Sequence, residues 1–67
     1  SLFNEGIEKI AQKLGEESTE VVISSLKETK DDLIYETSDL IYHLLVLLAE
    51  KDVELKSIFN ELNSRFD

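Results

Sequence analysis

Apolar residues recur at three- and four-residue spacing along nearly the whole chain, and no proline interrupts them. That spacing is the period of an α-helix; a half-buried strand would alternate in twos. With no proline and only two glycines among 67 residues, the composition argues against a turn-rich all-β fold, and an all-α fold is expected. Three segments carry the pattern. The first holds Phe3, Ile7, Ile10, Leu14, Val21 and Val22, with Gly6 as a point where it breaks or bends, and it fades at Lys27-Glu28-Thr29-Lys30. The second holds Leu33, Ile34, Leu40, Ile41, Leu44, Leu45, Leu47 and Leu48, with Asp31 or Asp32 as its expected N-cap. The third is a one-sided stripe of Leu55, Ile58, Phe59, Leu62 and Phe66, with Asp52 as a candidate cap before it. The connections are only a few residues long, which predicts antiparallel neighbours.

There is no internal repeat, low-complexity tract or interdomain linker, so residues 1–67 read as one domain. A domain this small buries only about 60% of its unfolded surface and is marginal alone. Without cysteine, neither disulfides nor thiolate metal sites can staple it, which leaves oligomerisation or an oxygen-ligated metal. The second segment is apolar almost all round in its C-terminal half and needs more neighbours than the chain supplies. An antiparallel helical bundle completed by homodimerisation, with a four-helix core, is the expected solution.

The net charge is −8, from 15 acids against 7 bases. Such a surface repels nucleic-acid phosphates and anionic membranes. The longest apolar run, Leu44 to Ala49, is too short to span a bilayer, and no signal peptide is visible, so a soluble cytoplasmic protein is expected.

The acids are not evenly placed. A helix turns about 100° per residue; with Glu17 as zero, Ile10 lies about 20° away, Val21 about 40° and Leu14 about 60°. Glu17 is therefore inside the apolar stripe. Glu20 lies about 60° to the other side, with Lys13 and Ser24 between, and Glu16 about 100° away on the polar flank. On the second segment, with Glu36 as zero, Leu47 lies about 20° away, Leu40 about 40° and Leu33 about 60°, while Asp39 and His43 share one flank. Both helices thus carry an acidic pair at i,i+3, Glu17/Glu20 and Glu36/Asp39, whose first member faces the core. Most helix glutamates are solvated, and that is the expectation for Glu5, Glu8, Glu28, Glu50, Glu54 and Glu61. Four inward acids would each cost several kcal/mol unpaired. A hard divalent cation resolves this, and all-oxygen ligands select Mg²⁺, Mn²⁺ or Ca²⁺.

These residues carry a resemblance. E-E-S-T-E (Glu16 to Glu20) followed by E-T-S-D (Glu36 to Asp39) fits the ExxE…ExxD pattern of the all-α nucleotide pyrophosphohydrolase superfamily. K-L-G-E-E (Lys13 to Glu17) with D-L-I-Y-H-L-L-V-L-L (Asp39 to Leu48) narrows it: the chain resembles the phosphoribosyl-ATP pyrophosphohydrolase family, from about Ser1 to Arg65. House-cleaning pyrophosphatases of the superfamily generally lack the Tyr-His. A further N-terminal helical segment normally precedes this stretch in the family, sometimes with a whole cyclohydrolase domain before it, so S-L-F-N is read as the end of that segment.

The resemblance implies an all-α, usually dimeric enzyme of histidine biosynthesis that hydrolyses phosphoribosyl-ATP to phosphoribosyl-AMP and pyrophosphate with Mg²⁺ (Mn²⁺ as substitute). It implies Glu17, Glu20, Glu36 and Asp39 as metal ligands. A water oriented by the metal or by a carboxylate would attack the α-phosphorus, with Glu16 or Glu20 as base. Lys13 is read as either an i,i+4 partner of Glu17 or a contact to substrate phosphate. His43 is read as a site residue contacting substrate or carboxylates, and Tyr42 as packing with a satisfied hydroxyl. Arg65 matches a terminal family position, and Lys27 receives no role. Two other readings remain: a house-cleaning nucleoside triphosphate pyrophosphatase and a non-catalytic helical dimerisation module.

Overall fold

The computed structural model describes residues 2–27 and 29–66, with side chains from residue 6 onward. Among these residues the regular elements are all helices: α1 (Leu2–Lys27), α2 (Lys30–Glu50) and α3 (Leu55–Phe66). Phe3 lies outside the described side chains. The helical backbone of α1 runs through both Gly6 and Gly15 without a break.

The charged run at the end of α1 is a helix boundary with defined chemistry. Thr29, not Asp31 or Asp32, caps α2. Its hydroxyl accepts the Asp32 N–H at 3.2 Å, and its own N–H donates to the Asp32 carboxylate at 3.4 Å. This reciprocal capping box satisfies two backbone donors that a helix start otherwise leaves bare. At the other end, Val53 N–H donates to Leu48 C=O at 2.8 Å and Asp52 N–H to Ala49 C=O at 3.1 Å. That pattern is a Schellman stop, with Asp52 in the left-handed position at φ 58°. Asp52 therefore ends α2; it does not start α3.

The short link folds α2 back onto α1 as a hairpin. Its seam is half-buried: Ile7, Ile10, Leu14, Glu17 and Val21 on α1, and Leu33, Glu36, Leu40, His43 and Leu47 on α2, each spaced alternately three and four residues apart. Ser24, 2% exposed, is the one buried side chain among the described residues. No hydrophobic side chain is fully buried among them.

Only α1 and α2 meet the expectation of antiparallel neighbours. α3 makes barely any contact with the hairpin, and every described residue from 51 onward is exposed. Phe59 stands 55% and Phe66 83% exposed, and Leu44 and Leu45 of α2 are also open. The molecule is a plate, 39 × 37 × 14 Å, about one helix layer thick. Its radius of gyration is 14.1 Å, against about 11 Å for a compact domain of this length. It exposes 5615 Å², against about 4,300 Å² for a compact monomer of 7.7 kDa.

Candidate metal centre

Two of the seam positions that should hold leucine or isoleucine hold glutamate. Glu17 and Glu36 lie where the alternating spacing places core residues, and both are half-buried. Because the hairpin brings the middle of α1 against the first half of α2, Asp39 joins them. One carboxylate oxygen from each of Glu17, Glu36 and Asp39 lies within 4.8 Å of the others. A cation bound at 2.0–2.6 Å from each oxygen requires oxygens about 3–5 Å apart, so this donor set fits a hard divalent ion. Three acidic side chains converge in a half-buried seam, and a cation among them would offset their like charge.

His43 sits on the same seam, one turn beyond Asp39. Its Nε2 lies 3.9 Å from a Glu17 oxygen, with 22% of the His43 side chain and 12% of the Glu17 side chain exposed. That separation exceeds a hydrogen bond and places the imidazole beside the Glu17 carboxylate. The Tyr42 ring meets His43 edge to face, centroids 5.2 Å apart and planes at 72°, and so braces it.

Glu20 is exposed and stands outside the converging group, and Glu16 is exposed on the flank. The hydroxyls between the acids are turned back on their own helix. Ser18 donates to Leu14 C=O at 2.9 Å, Thr19 to Gly15 C=O at 3.2 Å and Ser38 to Ile34 C=O at 2.8 Å. These three hydroxyl protons are spent on the helix backbone, so they are not donated to the neighbouring carboxylates. Arg65 pairs with Glu61 on α3, remote from the site in sequence and exposed.

A groove of about 250 Å³ adjoins His43, lined by Lys9, Ile10, Lys13, Tyr42, His43 and Val46. Lys13 is exposed and lines it. Lys9 was not singled out by the sequence, although it sits four residues before Lys13 and thus on the same helix face.

An all-helical hairpin with a carboxylate cluster in its seam is the frame on which helical proteins build acidic metal sites between facing helices. The family is set by comparison. The sequence model of phosphoribosyl-ATP pyrophosphohydrolase matches residues 1–66, and the chain belongs to that family. It is 58% identical over 65 residues to the histidine biosynthesis bifunctional protein HisIE of Caldanaerobacter subterraneus, covering 97% of this chain and 32% of the relative. It is 55% identical to the phosphoribosyl-ATP pyrophosphatase of Clostridium novyi, covering 96% of this chain and 58% of the relative. For the pyrophosphatase of Listeria innocua the identity is 58%, covering 96% and 61%. The chain thus spans between a third and three-fifths of these relatives. Among solved structures no match was found.

Proposed function

We propose that residues 1–67 act as a pyrophosphohydrolase domain that hydrolyses phosphoribosyl-ATP to phosphoribosyl-AMP and pyrophosphate, a cytoplasmic step of histidine biosynthesis, with Mg²⁺ as cofactor. The observation that carries the reading is the convergence of Glu17, Glu36 and Asp39 in a chain of this family. Mg²⁺ or Mn²⁺ at these oxygens would offset charge on the phosphate groups, which a chain of net charge −8 otherwise repels.

The chain's own residues then divide the remaining work. Glu17, Glu36 and Asp39 hold the ion, with Glu20 proposed as a fourth ligand. Glu16 and Glu20, open to solvent beside the cluster, are the carboxylates to orient the attacking water and take its proton. Lys13, one turn before Glu17, contacts substrate phosphate as a point charge. His43, braced by Tyr42, fixes the orientation of Glu17.

We also propose a homodimer with a four-helix core. The excess exposed area and the unpartnered apolar stripes of α2 and α3 support it. The excess of roughly 1,300 Å² is of the size that one subunit of an obligate dimer buries.

The test is release of pyrophosphate from phosphoribosyl-ATP, measured beside a panel of nucleoside triphosphates with Mg²⁺ present. Turnover of phosphoribosyl-ATP above the panel is expected. Activity on the panel alone would make this a house-cleaning enzyme, and activity on neither would leave a dimerisation module.

A further inference from the structure

The groove beside His43 runs away from the carboxylates, toward the start of α1 and the end of α2. Lys13 and His43 are its near end; Lys9 and Val46 are farther out, because the hairpin pairs earlier residues of α1 with later residues of α2. Along α1, Lys13 lies about 6 Å and Lys9 about 12 Å from Glu17, at 1.5 Å per residue. Between the two lysines the wall is Ile10, Val46 and the Tyr42 ring. An apolar wall with a cation at its far end suits a base or sugar followed by a phosphate, not a continuous polyphosphate. Its volume of about 250 Å³ accommodates part of a nucleotide-sized ligand.

The substrate under the reading above has two anionic ends. The triphosphate belongs at the carboxylates, through the cation. The phosphoribosyl group carries a second, separate monophosphate, and this is the feature that distinguishes the substrate from ATP. We propose that Lys9 receives this remote monophosphate, and that the Ile10, Tyr42 and Val46 wall seats the sugar before it. Lys9 is then a specificity-determining residue that separates phosphoribosyl-ATP from ordinary nucleotides. The inference rests on the proposed function, since only that substrate brings the second phosphate.

Equilibrium binding tests it without turnover. Phosphoribosyl-AMP, AMP and pyrophosphate are titrated calorimetrically into the intact protein with Mg²⁺, at one fixed ionic strength because Lys9 is exposed to screening. The wild type should bind phosphoribosyl-AMP about tenfold or more tighter than AMP, the scale of one charge-assisted hydrogen bond. Lys9→Ala should remove most of that difference, leaving only what the sugar wall contributes, with AMP and pyrophosphate affinities as they are, and Lys9→Arg should keep most of it. Alanine on an exposed helix face does not threaten the fold. Equal weakening of all three ligands would assign Lys9 to general anion binding and overturn the proposal. No change in any would make Lys9 a solvated side chain and overturn it equally. Failure of the wild type to hydrolyse phosphoribosyl-ATP would instead overturn the function itself, and the inference with it.

Discussion

Glu17 is at once a seam residue and a carboxylate facing two others, and under the proposed function a bound cation reconciles the two roles. In the metal-free protein, Glu17 adds like charge beside Glu36 and Asp39 in a half-buried position. Glu17→Gln should therefore leave the metal-free protein at least as stable as the wild type. It should also abolish hydrolysis and remove stabilisation by Mg²⁺. For the wild type, metal at a hundred times its dissociation constant adds about 2.7 kcal/mol. In a domain this small that raises the melting temperature by on the order of 10 °C. Thermal melts of both proteins with chelator and with millimolar Mg²⁺ check this. A wild type indifferent to metal, or a Gln variant that still turns over, would sink the assignment. Much of this was legible beforehand: helical phase alone placed Glu17 and Glu36 in their stripes. Phase did not reveal that Asp39 joins them while Glu20 stays outside. It gives directions around one helix, and which flank meets the partner depends on how the two helices are registered and crossed. The approach of His43 to Glu17 is a tertiary fact for the same reason.

The elements are set mostly by local chemistry, and their boundaries show where local reading succeeds. Thr29-Lys30-Asp31-Asp32 has the spacing of a capping box, although its charges obscure the signal. Asp52 reads plausibly as a helix start, and only the backbone hydrogen bonds to Leu48 and Ala49 show that it is a stop. Its left-handed backbone is costly for a residue with a Cβ, and its carboxylate sits at the negative end of a helix whose last turn has no basic residue. Asp52→Gly should stabilise the fold by roughly 1 kcal/mol. Gly15 lies mid-helix, and an added Cβ there would meet nothing within 4 Å. Gly15→Ala should also contribute about 1 kcal/mol through helix propensity. Each change should raise the melting temperature by about 4–8 °C. Destabilisation by Gly15→Ala would mean that its bare face meets another molecule.

At the scale of the whole molecule, one chain leaves its apolar surface unfinished. Among the described residues the α3 stripe stays exposed and barely touches the hairpin, and α2 carries leucines on more than one side. If a second copy covers them, the melting temperature rises with protein concentration and sedimentation gives twice the chain mass. Phe59→Glu, placing a charge on the α3 stripe, should shift that equilibrium toward monomer. A concentration-independent melt with monomeric mass would refute the dimer. The sequence by itself determined three helices, their apolar stripes and two acids within those stripes. Backbone hydrogen bonding and a period of 3.6 residues act over a few positions and can be read from them. Tertiary structure alone decided which carboxylates converge, which groove opens beside them and that α3 stands apart. Those outcomes depend on the register and crossing of residues distant in the chain, which no local pattern specifies.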